Sequence, residues 1–164
     1  MTFLKGIKVF SEKNTDFLVN ILGDGPLRNE METFVKKNNL SDKINFLGWV
    51  SKEKMLEEYQ SANIQVMSSL AEAMSIAALE SLCCGQYLLS TPVSGNTDII
   101  NKGENGDFFE FGDFNSMAKK LEKYYNNQFK KKKIISLKFV ETFRKKYAWA
   151  NIAKQYDVLV RDIK

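Results

Sequence analysis

Two carboxylates eight positions apart, Glu72 and Glu80, stand in the segment Ser68-Ser-Leu-Ala-Glu-Ala-Met-Ser-Ile-Ala-Ala-Leu-Glu80, directly after a strand-like apolar run. Glu80 is surrounded in sequence by Ile76, Ala77, Ala78 and Leu79, an apolar setting in which a carboxylate is costly unless it has a partner. If helix joins the two, they are separated by ~12 Å of rise and ~80° of rotation. That is too far for an acid/base couple acting on one bond. It suits two hydroxyl-rich parts of one long ligand, with the helix N-terminus between them offering N–H groups to an anion. The plainer alternative is that Glu72 only caps the helix and Glu80 faces solvent.

A second candidate is Gly23-Asp-Gly-Pro-Leu-Arg28, where a strand turns into a helix. Gly23 and Gly25 supply two glycines of a dinucleotide fingerprint, but Arg28 occupies the place of the third. No acidic residue closes the next strand to hold a ribose, which disfavours an NAD-linked oxidoreductase. The motif reads either as a phosphate cradle at a helix start or as a tight turn, and taken alone the tight turn is preferred. Other chemistries are excluded outright. The 164 residues contain no histidine, so Ser-His-Asp and Cys-His catalysis and histidine-based zinc sites are absent. The only cysteines are the neighbours Cys83 and Cys84, which leaves no disulfide framework and no multi-cysteine metal site.

The elements that must hold these residues alternate. Strand-length apolar runs are Phe17–Leu22, Ile44–Leu47, Ile64–Met67, Tyr87–Ser90 and Phe108-Phe109. Between them lie helical stripes: Leu27, Met31, Phe34 and Val35; Met55, Leu56 and Tyr59; Ile76, Leu79, Glu80 and Cys83. Strands alternating with helices predict βαβ units and a parallel sheet, an α/β doubly wound, Rossmann-like fold. From Asp113 onward only helical spacing remains, in Met117/Leu121/Tyr124, Val140/Phe143/Tyr147 and Ile152/Tyr156/Leu159/Val160/Ile163. Asp113 and Asn115 are suitable N-caps for the first of these. The whole chain is therefore read as one domain, an alternating core over 1–112 with C-terminal helices over 113–164. The opening Leu4–Phe10 reads as a loop entering a helix with no strand before it, so the first strand is expected upstream and the chain is expected to be part of a longer one.

Charge is uneven. Residues 1–125 carry 13 Lys+Arg against 17 Asp+Glu, whereas residues 126–164 carry 11 against 3. The excess includes Lys130-Lys-Lys-Lys133 and Arg144-Lys-Lys146. Such a tail meets anionic lipid, nucleic acid or an acidic partner, or is simply a solvated helix face. No run approaches 18 apolar residues and no secretory leader is visible, so a cytoplasmic protein is expected.

The ordered set Lys5-Gly6, Gly23-Asp-Gly-Pro26, Phe46-Leu-Gly48, Ser69…Glu72…Glu80…Gly85, Ser94-Gly95, Asn105-Gly106, Gly112-Asp113 and Trp149 resembles the C-terminal half of the group 1 glycosyltransferases, the retaining family with the GT-B fold. The resemblance spans nearly the whole chain, and the two glutamates separated by seven residues are its most specific part. It implies that this domain binds a nucleotide diphosphate sugar (a UDP-, GDP- or ADP-sugar) and that a separate N-terminal domain binds the acceptor. By the same resemblance Glu72 would hold hydroxyls of the donor sugar and Glu80 those of the ribose. The N–H groups of Met74, Ser75 and Ile76 would face the distal phosphate, Lys5 would neutralise the diphosphate, and Gly48-Trp49-Val50 would lie near the base. A lysine and a helix N-terminus supply the positive potential a departing diphosphate needs, so neither metal nor cofactor is implied.

Several departures stand out. The family arginine that ends the first strand lies upstream of this chain, Ala73-Met-Ser75 replaces a usual Gly-Phe-Gly, Tyr87 stands at a usual proline, and Ser68 replaces another. The reading is a donor-binding domain of a sugar transferase whose acceptor is a polysaccharide or lipid-linked glycan. A peripheral contact with the membrane surface through the basic tail is expected, and a nucleic-acid partner is not. The alternative is a degenerate or stand-alone nucleotide-binding module acting with a separate acceptor-domain partner.

Overall fold

The computed structural model describes residues 1–130 and 135–162. In chain order they form α1 (Thr2–Ser11), β1 (Val19–Leu22), α2 (Arg28–Lys37), β2 (Ile44–Gly48), α3 (Lys52–Ser61), β3 (Ile64–Met67), α4 (Ile76–Cys83), β4 (Tyr87–Ser90), α5 (Ser94–Thr97), β5 (Gly106–Phe108), α6 (Phe114–Lys130), α7 (Leu137–Tyr147) and α8 (Trp149–Asp162). Every strand pair is parallel, as alternation of strands and helices demands. The strands divide into two sheets, β1-β2 and β3-β4-β5.

Two apolar layers sandwich these strands. One joins Leu4, Ile7 and Phe10 of α1, Val35 of α2, Leu89 of β4 and Met117, Ala118 and Leu121 of α6. The other joins Ala78 and Leu82 of α4, Leu88 of β4, Ile99, Ile100 and Val140 and Phe143 of α7. Adjacent Leu88 and Leu89 enter opposite layers because successive strand side chains alternate in direction. Helix α1 lies so close to α6 at Gly6 that a Cβ there would fall 2.3 Å from Met117 Cε.

Side chains capping the backbone fix the helix starts. Ser51, Ser75 and Ser136 accept the N–H groups of Lys54, Ala78 and Phe139. Asp113 Oδ1 accepts the N–H of Ser116 at 2.8 Å.

One expectation is corrected. The opening residues are helical from Thr2, because Leu4, Ile7 and Phe10 all turn into the core. The Ile152/Tyr156/Leu159/Val160 stripe of α8, amphipathic enough to call for at least partial burial on a protein surface, is mostly open within this chain. Ile152 is half-buried, but Tyr156, Leu159 and Val160 are each 60% or more exposed. Finally, α5 was not foreseen: Ser94–Thr97 has no apolar stripe, and its one turn is set by its packing. Lys131–Lys133 of the basic run and Ile163 of the α8 stripe lie outside the described residues.

Candidate functional site

The loops following the strands carry the candidate residues. The loop from β3 to α4, residues 68–75, holds Glu72 at its centre and ends where Ser75 caps α4. The helix therefore starts four residues after Glu72, so the ~12 Å helical separation inferred for the two glutamates does not apply. Ser75 is buried, and its Oγ accepts the Ala78 N–H at 3.3 Å. The first-turn donors left at the helix mouth are the N–H groups of Ile76 and Ala77, with Met74 and Ser75 in the approaching loop.

The loop is held from β4 and α5. Thr91 Oγ1 donates to the Ser69 carbonyl at 2.7 Å, and Ser69 Oγ donates to Glu72 Oε2 at 3.3 Å. Gly95 of α5 presses against the loop backbone: a Cβ on it would lie 2.1 Å from the Ala73 carbonyl oxygen and 2.6 Å from Met74 Cα. Buried Asn96 fixes α5 in turn, donating from Nδ2 to Ser90 Oγ at 2.7 Å. The polar cluster Ser90, Thr91 and Asn96 thus braces the loop that carries Glu72.

Glu80 lies on the exposed side of α4, as the plainer of the two alternatives had it. Its carboxylate nonetheless lies near the hydroxyl of buried Tyr59 in α3. Burial first, and then the Glu80 carboxylate, push the Tyr59 phenol up to about 12. Tyr59 is anchored through its own carbonyl, which accepts from Gln86 Nε2 at 2.9 Å.

The two glycine-bearing loops on the other sheet meet. The Gly23 N–H donates to the Gly48 carbonyl at 2.7 Å, with Gly23 at φ +96° and Gly48 at φ +67°, conformations that favour glycine. This brings Gly23-Asp-Gly-Pro26 beside Gly48-Trp49-Val50. The Gly25 N–H is turned inward on Asp24 Oδ1 at 2.7 Å, and Arg28 bridges Asp24 at 3.2 Å and Glu32 at 2.9 Å. That geometry is a tight turn carrying its own acid, and not an open phosphate cradle. Beside it a groove of about 290 Å³ is lined by Ile21, Gly23, Pro26, Leu27, Arg28 and Phe46. Trp49 projects into solvent, 84% exposed, outside that lining. Lys5 is exposed on α1, with its ammonium 5.9 Å from the centre of the Phe114 ring. Among the described residues no hydrogen bond or ion pair joins Lys5 to the Glu72 loop.

Gly95, Thr91 and Tyr59 were not singled out as site residues by sequence. Ser94-Gly95 was visible only as part of an ordered motif set, and Tyr59 only as part of an apolar stripe. Among the described residues no group of three or more cysteine or carboxylate side chains is gathered as metal ligands would be. No helix of those residues is long and apolar enough to cross a membrane.

Comparison with known proteins converges on one family. The sequence model described as glycosyl transferases group 1 matches residues 2–138. An uncharacterized glycosyltransferase of Methanocaldococcus jannaschii is 31% identical over 147 residues, 88% of this chain and 41% of that relative. The chain thus spans about two fifths of the length of that curated relative. Among solved structures, the C-terminal domain of a glycosyl transferase group 1 family protein from Francisella tularensis superposes with TM-score 0.69 at 24% identity, covering 81% of this chain and 78% of that one. Anabaena HepE, solved with UDP and glucose, superposes with TM-score 0.83 at 13% identity, covering 98% of this chain and 44% of that one. At these identities the structural likenesses establish the fold alone.

Proposed function

The chain belongs to the group 1 glycosyl transferases, and from that premise we propose that it is the donor-binding domain of an enzyme moving a sugar from a nucleoside diphosphate sugar to a glycan or lipid-linked acceptor with retained anomeric configuration. The observation that carries this reading is the braced loop 68–75, which holds Glu72 and runs into a serine-capped helix whose second turn carries Glu80. An extended ligand laid across the helix mouth meets Glu72, then the Ile76 and Ala77 N–H groups, then Glu80. In this reading Glu72 holds donor-sugar hydroxyls and Glu80 the ribose hydroxyls. The backbone around Met74, Ser75 and Ile76 faces the distal phosphate, where partial positive charge at a helix N-terminus stabilises an anion.

Lys5 adds charge for the departing diphosphate. The Gly23-Gly25 turn and the Gly48-Trp49-Val50 loop, joined through Gly23 and Gly48, bound the space for the base. In this reading the donor is a UDP-, GDP- or ADP-sugar. No metal or further cofactor is assigned a role. The acceptor domain is assigned to polypeptide outside this chain, and the basic tail to the surface of a membrane bearing the acceptor.

Titration calorimetry of the chain with UDP, GDP and ADP, paired with a donor-hydrolysis assay, tests the reading. Weak binding of a nucleoside diphosphate without turnover is expected. No binding of any of the three contradicts a donor site, and sugar transfer by this chain alone contradicts the division of labour between two domains.

A further inference from the structure

Glu72 sits between two fixed points of its own loop. Thr91, 1% exposed at the end of β4, donates from Oγ1 to the carbonyl of Ser69 at 2.7 Å, just ahead of Glu72. Gly95 bears on the carbonyl of Ala73, just after it. Thr91 uses every polar group it has. Its N–H donates to the Met67 carbonyl at 3.0 Å, and its own carbonyl accepts the Val93 N–H at 2.8 Å and Ser90 Oγ at 2.9 Å. One buried residue therefore ties together the exit of β3, the Glu72 loop and the entry to α5.

These bonds form one directed chain. Asn96 Nδ2 donates to Ser90 Oγ at 2.7 Å, and Ser90 Oγ to the Thr91 carbonyl at 2.9 Å. Thr91 Oγ1 then donates to the Ser69 carbonyl at 2.7 Å, and Ser69 Oγ to Glu72 Oε2 at 3.3 Å. Chemistry fixes each direction, because an amide nitrogen only donates and a carbonyl or an ionised carboxylate only accepts. Asn96, Ser90 and Thr91 are all buried, and linked bonds shielded from water reinforce one another. Among the described residues no lysine or arginine pairs with Glu72. Its Oε2 is held by Ser69, which leaves Oε1 as the oxygen offered to a ligand.

The nucleotide end of the proposed site is held by other means. Ile76, Ala77 and Glu80 belong to α4, which starts at the Ser75 cap and is seated by Ala78 and Leu82 in the second apolar layer. We propose that Thr91 is the positioning residue for sugar recognition. Through Ser69 it sets the direction in which Glu72 offers its free oxygen. It thereby governs affinity for the hydroxyls of the donor sugar and leaves affinity for the nucleoside diphosphate alone. This inference rests on the reading of Glu72 as the residue that holds the donor sugar. Valine at 91 keeps the branched shape but lacks the hydroxyl, so the Ser69 main chain loses its anchor and Glu72 moves with it.

Calorimetry tests this with UDP-glucose, UDP-N-acetylglucosamine, GDP-mannose and ADP-glucose, each against its own nucleoside diphosphate. The ratio of the two affinities is the preference for the sugar. It is read in the chain, in Thr91→Val, Thr91→Ser, Ser69→Ala and Glu72→Gln, and in Thr91→Val combined with Glu72→Gln. For the donor that the chain prefers over its diphosphate, Thr91→Val should cut that preference about five- to tenfold, the loss of roughly one hydrogen bond, with the diphosphate held within about twofold. Thr91→Ser, which keeps the hydroxyl, should restore the preference. Glu72→Gln should cost little more in the Thr91→Val background, because the two residues act as one unit. Ser69→Ala removes only the last link, should show the same split, and decides the matter if Thr91→Val does not fold. Equal losses for donor and diphosphate, no restoration by serine, or additive losses from Thr91→Val and Glu72→Gln overturn the inference. A loss in Glu72→Gln with Thr91→Val unchanged overturns the inference alone. Full preference in Glu72→Gln, or no preference in the chain itself, overturns the reading of Glu72 and the inference with it.

Discussion

Gly95 and Ala73 are in contact through their backbones: a Cβ built on Gly95 would stand 2.1 Å from the Ala73 carbonyl oxygen. No flexible side chain can yield there, because the obstacle is main chain. The glycine in α5 and the loop carrying Glu72 are therefore one mechanical unit, and the shape of the loop follows from the position of a helix more than 20 residues later in sequence.

Replacing Gly95 by alanine should push the 73–74 backbone outward. Overpacking of this kind costs about 1–3 kcal/mol. The expected outcome is a lower Tm, read by thermal melting, and a loss of UDP affinity in calorimetry larger than that caused by an equally destabilising core change such as Leu121→Ala.

Tyr59 should matter through its hydroxyl. In Tyr59→Phe the ring stays packed while Glu80 loses the neighbouring hydroxyl, available as a donor when the site is filled. A neutral donor to a carboxylate is worth about 1–2 kcal/mol. UDP affinity should fall roughly three- to thirtyfold, while binding of pyrophosphate, which has no ribose, stays within twofold.

The legibility of these relationships differs by their range in sequence. Ile64–Met67 and Tyr87–Ser90 were read at their observed bounds, because buried strands write themselves as short apolar runs. The cap at Asp113 is local and follows from residue type, whereas at α4 the cap is Ser75 and not Glu72, which the sequence offered for that place. Long-range constraints leave no such trace: nothing near Gly95 announces Ala73, and nothing near Tyr59 announces Glu80, 21 positions on. Glu80 misled in the opposite way. Its neighbours are apolar, but Leu79 sits 100° round the helix, and Ile76, which shares the face of Glu80, is itself 70% exposed, so Glu80 emerges at the surface. The α8 stripe was legible as amphipathic, but such spacing signals a surface to cover and does not say which polypeptide covers it.

Stability should depend on acid through Asp107. Burial works to raise its carboxyl, but the Lys120 ammonium at 2.8 Å, with the Phe108 N–H, outweighs it and holds the group below its ordinary range. The folded value lies below the unfolded one, so the stabilisation is complete above about pH 3.9 and is lost as the pH falls through the folded value. Both partners are partly exposed, which keeps the effect to about 1 kcal/mol or less. Denaturant melts of the protein and of Asp107→Asn should differ at pH 6 and converge near pH 2. A constant difference across that range contradicts the ion pair as its source.

The lysines at 130–133 should bind anionic lipid, each adding about 1 kcal/mol near the surface. In co-sedimentation with neutral and phosphatidylserine-containing vesicles, the chain should bind only the anionic ones and release with salt, and a variant with all four lysines changed to alanine should bind less. Equal binding by both proteins, or none by either, leaves the run as a solvated face.

The central claim is that the two carboxylates flank one nucleotide-sugar site, and Glu80→Ala tests it most directly. Calorimetry with UDP and with pyrophosphate should show UDP weakened by about 1.5–3 kcal/mol, the scale of a charged hydrogen bond, and pyrophosphate unchanged. Equal losses for both ligands would contradict the account, placing Glu80 in the general field or the fold and not at the ribose.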